Sequence, residues 1–159
     1  MRKFAPIAAA VIAGMLVIGY LVWRSQPEQV LKRQCKTLMG MADEVGNGVG
    51  IFDIKRLENL LADQVVFQID VVDEEPFRAG QIEVISAYRW LGGNVEKSNF
   101  MIVEFTSVEI EGDEARLDLK VAGTLEMPDM RMLEGEHAAG FLWQKDEEGD
   151  WRLTEFSFR

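Results

Sequence analysis

The sequence predicts an α+β domain carried on a single N-terminal transmembrane helix. Three observations lead to this prediction. Phe4 to Trp23 contains no charged residue, and about 20 apolar helical residues span the roughly 30 Å hydrocarbon core of a bilayer. Apolar residues then recur at helical spacing in the first half of the remainder. In the last third they alternate with polar residues, as in strands with one buried face.

The segment Phe4–Trp23 is predicted to stay in the mature chain as an anchor. A cleaved signal would have a shorter apolar region and small residues at its end, whereas this run ends in large residues. Tyr20 and Trp23 suit a membrane interface. We therefore divide the chain into an anchor, residues 1–24, and a domain, residues 25–159. Basic residues flank both ends of the span in similar number, so the distribution of positive charge does not determine which side of the membrane the domain occupies. The short tail before the span favours a single-pass cell-membrane protein with its domain outside the cytoplasm.

The domain is strongly acidic. The whole chain has a net charge of −10, and all 27 Asp and Glu residues follow the predicted span. This argues against nucleic acid as a partner, because such binding needs Lys and Arg to displace counterions from phosphates. Cys35 has no second cysteine with which to form an intramolecular disulfide. It falls within a helical pattern and is predicted to pack as a small apolar residue.

About three helices are predicted in the first part of the domain. The first follows Pro27 and places an apolar stripe on one side: Val30, Leu31, Cys35, Leu38, Met39 and Ala42. The second is predicted to begin near Asp53 as its cap, and the third covers about Ala79 to Leu91. The glycine-rich stretch 46–50 is interpreted as a connection between helices, because a phosphate-binding loop would follow a strand.

Alternating segments predict the strands of a strongly curved antiparallel sheet. A strand begins near Val65, and the others are predicted at Asn99–Glu111, Ala115–Met127, Glu136–Lys145 and Trp151–Phe158, with a loop at Pro128–Gly135. One face of Asn99–Glu111 is predicted to hold Phe100, Ile102, Glu104, Thr106, Val108 and Ile110. In the last strand, strict alternation would place Trp151 and Leu153 on one face and Phe156 and Phe158 on the other. A β-bulge, or a twist that buries both faces, would reconcile them.

Two segments carry a resemblance to a known family. They are IKRLENLLADQVVFQI at 54–69 and GFLWQKDEEGDWRLTEFSF at 140–158. Together with the order of elements they resemble the nuclear transport factor 2-like superfamily, the cone-shaped fold shared with ketosteroid isomerase, scytalone dehydratase and SnoaL-type cyclases. The resemblance covers about Pro27 to Phe158. It implies a conical interior, in which the family's enzymes place polar groups. The Tyr that the isomerases carry on the first helix is absent here, where Cys35, Leu38, Met39 and Met41 stand instead.

Polar residues near the predicted interior are candidates for acid–base catalysis. They are Tyr88, Glu104 and His137, and burial would raise the pKa of Glu104 as a general acid or base requires. Leu38 and Trp143 complete the predicted ligand pocket with these three. The structural alternative is that Glu104 lies at an edge or pairs with an arginine such as Arg89. His137 would then only be hydrogen-bonded in the core.

A methionine-rich segment suggests a second kind of site. Met127, Met130 and Met132, with His137 five residues on, resemble the methionine-rich loops of extracytoplasmic copper proteins, since thioethers and imidazole are ligands that Cu(I) accepts. The alternative is that these methionines fill the core. We predict no cofactor for the chain.

The resulting functional prediction is a single-pass, membrane-anchored, non-catalytic binding or scaffold domain. Its expected partners are the membrane, a membrane protein or a second copy of the chain, and possible ligands are small apolar molecules. The arrangement of tail, span and exported cone domain resembles the inner-membrane scaffold subunit of type IV secretion systems. Two alternatives stay open: an acid–base enzyme of the SnoaL or ketosteroid isomerase type acting on a small apolar substrate, and Cu(I) binding through the Met127–Met132 loop.

Overall fold

The computed structural model describes residues 5–70, 75–128 and 130–159; the side chains of 5–14 and 130–133 are outside this description. Phe4, the first residue of the predicted span, is also outside it. The helices are α1 Ala5–Arg24, α2 Pro27–Glu44, α3 Ile51–Leu60 and α4 Gln81–Asn94, with a 3₁₀ turn at Val45–Asn47. The strands are β1 Leu61–Ile69, β2 Phe77–Gly80, β3 Lys97–Glu111, β4 Glu114–Met127, β5 Met130–Lys145 and β6 Trp151–Phe158.

The strands form one curved sheet in the order β2-β1-β6-β5-β4-β3. The prediction of a wholly antiparallel sheet is wrong at one place, because β1 and β6 are parallel. These two strands are far apart in sequence, so a long crossover joins them, as parallel pairing requires. The α+β class is confirmed.

The core lies between the helices and one face of the sheet, which we call the inner face. On β4 this face carries Leu117, Leu119 and Val121, all essentially inaccessible to solvent. Leu31 and Cys35 of α2 are also fully buried and belong to the same cluster. The predicted role of Cys35 as a core residue is therefore confirmed. The opposite, outer face carries the alternating residues of β4, among them Asp118 and Lys120.

The predicted single face of β3 is wrong, because two β-bulges interrupt the strand. The register shifts between Ile102 and Glu104 and again between Phe105 and Ser107. Each bulge inserts one residue and reverses which face the following side chains occupy. Glu104 consequently pairs with outward-facing Lys120 rather than with an inner-face residue.

A bulge also interrupts β6, which is one of the two arrangements expected from its sequence. Leu153 pairs with Trp143, whereas Phe156 pairs with Phe141, so the register shifts between them. Thr154 is the additional residue, and its hydroxyl donates to the Leu142 carbonyl at 3.1 Å. Because of this shift both Leu153 and Phe156 face the core.

Three predicted boundaries need correction. Residues 130–135, predicted as a loop, belong to β5, and residues 79–80, predicted as helix, belong to the short strand β2. Helix α3 starts at Ile51, with Gly50 as its N-cap. Asp53 still stabilises this helix start, because its carboxylate accepts the Gly50 N–H at 2.9 Å.

Helix α1 leaves its described side chains uncovered. From Met15 to Trp23 the large apolar residues are each at least 50% exposed. Basic Arg24 is the last residue of the helix. Among the residues whose side chains the structure describes, which leave out 5–14, no helix is both long enough and apolar enough to cross a membrane.

Gly123 is required by a close contact between β3 and β4. A Cβ atom at this position would lie 2.3 Å from a ring carbon of Phe100 and 3.0 Å from the Asn99 carbonyl oxygen. We expect Gly123→Ala to lower the free energy of unfolding by about 1–3 kcal/mol, because the ring must leave its rotamer. The control is Gly93→Ala in α4, where no atom lies within 4 Å. Urea denaturation should show this control to be neutral or slightly stabilising, and equal losses in both variants would contradict the account.

Candidate functional site

An apolar pocket of about 210 Å³ lies between the helices and the inner face of the sheet. Helices α2, α3 and α4 form three sides, the 3₁₀ turn contributes one residue, and β3 and β4 form the floor. The lining residues are Leu38, Met41, Ala42, Val45, Leu57, Tyr88, Leu91, Phe100 and Leu125. Such a surface gives apolar contacts and almost no hydrogen bonding. An apolar cavity of about 150 Å³ can hold one benzene ring, so a single ring or short branched chain would fit.

Tyr88 is the polar residue of this pocket, and its hydroxyl is already engaged. It donates to the Met41 carbonyl at 3.2 Å. Burial raises the pKa of Tyr88 to about 12; the Asp53 carboxylate adds to the rise, and Arg56 opposes it. The phenol therefore stays protonated at physiological pH and holds α4 against the end of α2. Two predicted pocket residues, Leu38 and Tyr88, are thus found together.

Glu104 and His137 lie on opposite faces of the sheet. Glu104 is exposed on the outer face and lines a groove of about 260 Å³ that also contains Lys120 and Arg159. His137 pairs with Val121, a core residue, and therefore points to the inner face. The prediction that Glu104 lies near the interior is wrong, because the first bulge of β3 turns it outward. The acid and the imidazole cannot act on one substrate from these positions.

His137 packs against an aromatic ring at the inner face. Its ring centroid lies 5.0 Å from that of Phe158. Its Nε2 atom is buried and has no hydrogen-bond partner among the described residues. His137 does not line the apolar pocket, whose sheet residues Phe100 and Leu125 lie further along the strands. It is a half-buried histidine at the inner face of the sheet.

Trp143 lies in the centre of the core rather than at a pocket wall. It is fully buried and stacks on Phe141 with a centroid separation of 6.4 Å and an interplanar angle of 13°. Beside it, burial raises the pKa of the Cys35 thiol to about 12, and the interaction with the Trp143 indole lowers this pKa by less than burial raises it. Cys35 is therefore an unreactive thiol in the folded protein. Trp143 supports the fold beneath the predicted ligand site and takes no direct part in it.

The strand geometry separates the copper-ligand candidates. Met127 pairs with Met130 at the end of the β4–β5 hairpin, and the side chains of Met130 and Met132 are outside the description. His137 lies on the same strand as Met130, and seven residues of strand span about 23 Å. His137 therefore cannot share one metal with Met130. Among the described residues, no three His, Cys, Asp or Glu side chains are grouped so that they could hold a metal ion.

Two larger hollows lie on either side of Arg152 and are polar. Their volumes are about 520 Å³ and 590 Å³. The Arg152 guanidinium donates to the Asp146 carboxylate at 2.8 Å and also to the Asn59 carbonyl. Its donors are thus used within the fold. Arg152 lines both of these surface clefts and makes structural contacts there. The apolar pocket is therefore the better candidate site.

Solved structures share this architecture. A nuclear transport factor 2-like protein from Cytophaga hutchinsonii has a TM-score of 0.65 and 18% identity, covering 84% of this chain and 97% of that one. The chain has the nuclear transport factor 2-like fold. A superfamily protein from Salmonella enterica serovar Typhimurium has a TM-score of 0.65, 13% identity and coverage of 82% and 88%. A protein from Novosphingobium aromaticivorans, provisionally described as an aromatic ring hydroxylase, has a TM-score of 0.64, 18% identity and coverage of 80% and 84%.

No protein-family profile and no curated protein matches the sequence. At these identities the solved structures establish the fold and leave the activity open. Within the nuclear transport factor 2-like fold of this chain, the pocket wall on α2 is made of Leu38, Met41 and Ala42. Helix α2, the first helix of the domain, therefore brings no ionisable group to the pocket.

Several pocket residues were not predicted from the sequence as members of a site. Leu57, Leu91 and Leu125 stand on apolar stripes of three different elements. Helical spacing and alternation identify them as buried. No signal in the sequence shows which buried residues leave a space between them, because that depends on how the elements pack.

Proposed function

We propose that this chain is a membrane-anchored, non-catalytic binding domain that acts outside the cytoplasm and holds a small apolar group in the helix–sheet pocket. The group would be a free ligand or an apolar side chain of a membrane-protein partner. One observation carries the proposal. The pocket is lined by apolar side chains and by one tyrosine whose hydroxyl already has a partner.

The separation of the polar candidates supports a binding role over acid–base catalysis. A general acid and base must both come within hydrogen-bond reach of the substrate. Glu104 is on the outer face, and His137 is on the inner face outside the pocket lining. Tyr88 is protonated and donates to the backbone. The pocket can select a ligand by size and apolar character, which the surrounding side chains supply.

Sequence and exposure support the membrane anchor. Phe4–Trp23 has no charge, and α1 covers Ala5–Arg24 as one continuous helix. Its described large apolar side chains stay at least half exposed. A continuous apolar surface of this kind needs a covering medium. Lipid would provide it, with Tyr20 and Trp23 near the interface.

The anchor is tested by placing charge in the middle of α1. We expect the double variant Leu16→Arg, Val17→Arg to leave the membrane fraction after alkaline carbonate washing, because each arginine costs about 2.5–3.5 kcal/mol at the centre of a span. The control is Ile51→Arg, Phe52→Arg, two positions that are each 84% exposed in the domain. This control and the native chain should stay with the membranes, and protease added from outside should reach the domain. A native chain that carbonate releases would contradict the anchor.

A further inference from the structure

Helices α3 and α4 contact each other and run in opposite directions. The end of α3 meets the start of α4, where the Gln81 side-chain amide donates to the Glu58 carbonyl at 2.8 Å. The start of α3 follows Val49, whose side chain lies against Gly92 near the end of α4. Each helix buries one side in the core, so the opposite sides of the two helices together form one outward surface.

This outward surface combines large apolar side chains with basic ones. We call it the helical face and define it by six residues: Phe52, Lys55, Arg56, Ile82, Arg89 and Trp90. Its three apolar side chains are each more than half exposed. Large apolar side chains exposed to this degree on two neighbouring helices mark an interaction surface.

The basic residues of the helical face are not neutralised by their neighbours. Within the described ranges, Lys55, Arg56 and Arg89 form no ion pair. The acids in the first turns of these helices are engaged elsewhere, because the carboxylates of Asp53 and Glu83 each accept the N–H of the glycine that caps their helix. The positive charge of the face is therefore available to a partner.

The helical side differs from the rest of the domain in charge. Glu58 is the remaining acid of α3 and α4, and the three basic residues of the helical face outnumber it. Across α2, α3 and α4, acidic and basic residues are equal in number, so the acidic excess of the domain lies on its strands and loops. An anionic partner would consequently meet the least repulsion at the helical face.

We propose that the helical face rests on the anionic lipid surface of the membrane that holds α1. Tryptophan, phenylalanine and isoleucine side chains enter the interface while lysine and arginine contact lipid phosphates, which is the composition of helices that lie in a membrane surface. The chain can turn between anchor and domain, because Gln26 separates α1 from α2 with an extended ψ of 138°.

The tether favours lipid over a soluble partner, since it keeps the face close to one bilayer and so raises the effective concentration of that surface. This inference rests on the anchor in the proposed function, because without α1 in the bilayer the face has no lipid held beside it.

The test measures spin-label accessibility on the full chain in nanodiscs made of phosphatidylcholine and phosphatidylglycerol. Nitroxide labels are attached at Phe52→Cys or Ile82→Cys. Met101→Cys is the matched control, because Met101 is an apolar side chain, 59% exposed, that pairs with Ala122 on the outer face of the sheet. Cys35 is buried and stays unlabelled. Compared with the control, labels on the helical face should be several-fold more accessible to oxygen, which concentrates in lipid, and several-fold less accessible to a water-soluble nickel complex.

A second variant tests the contribution of charge. Lys55→Glu, Arg89→Glu reverses two exposed charges of the helical face and should remove most of the difference between the labels at Ile82 and Met101. The native charges in nanodiscs of phosphatidylcholine alone should give the same loss. Lys97→Glu, an exposed position on β3, should leave the difference unchanged.

The outcomes separate this inference from the anchor. Equal accessibility at all three labelled sites, in a folded chain held by the nanodisc, would overturn the lipid contact and leave the anchor standing. Protection from the nickel complex without a gain in oxygen access would show that protein, such as a second copy of the chain, covers the face, and would also overturn the lipid contact. A native chain that does not stay in the nanodiscs would instead overturn the anchor, and this inference with it.

Discussion

Replacing Trp143 by alanine is expected to lower the free energy of unfolding by about 3–5 kcal/mol. The side chain is fully buried, and its stacking partner Phe141 and the Cys35 thiol would both face a cavity. Single domains are typically stable by about 5–15 kcal/mol, so much of the folded population would be lost. Urea denaturation followed by circular dichroism, in a mild detergent that protects α1, measures this change.

Trp90→Ala is the matched control for this prediction. Trp90 is 58% exposed on α4, so the same substitution should change stability by no more than about 0.5 kcal/mol. A loss below about 1 kcal/mol in Trp143→Ala would contradict the placement of this tryptophan at the centre of the core.

Replacing Ala42 by phenylalanine is expected to abolish binding of fluorobenzene. Ala42 lines the pocket from α2, and an added phenyl ring would occupy most of its volume of about 210 Å³. Because the ring fills an existing space, the protein should keep its fold. The methyl resonances of Leu38 and Leu125 should stop responding to the probe.

The control for pocket filling is Ala87→Phe, which adds the same ring at an exposed position of α4. This variant should bind fluorobenzene as the native chain does. If Ala42→Phe folds and still binds the probe with native affinity, the pocket is not the binding site.

Much of the fold follows from hydrophobic periodicity. The spacing of Leu31 and Cys35 marks the buried side of α2, and the alternation of Leu117, Leu119 and Val121 marks the inner face of β4. The conflicting alternation in the last strand indicated either a bulge or a twist, and the structure shows the bulge, at Thr154. These features depend on local spacing, which the sequence displays directly.

The errors arise where the register between strands decides the outcome. Glu104 stands among apolar residues in the sequence, yet a bulge before it turns it to the outer face. Residues 130–135 contain a glycine and follow Pro128, which suggested a loop, but pairing with β4 extends the strand. Pairing between strands overrides local preference in both cases. The pocket itself is a gap between packed elements, so it required the structure.

The most direct test of the central claim is to locate a bound apolar probe. Nuclear Overhauser contacts between fluorobenzene and isotope-labelled methyl groups can be recorded on the full chain in nanodiscs. We predict contacts to Leu38, Leu57 and Leu125, which line the pocket from α2, α3 and β4. Contacts confined to exposed residues such as Ile82, or no saturable contacts at all, would contradict the claim that this pocket is the binding site.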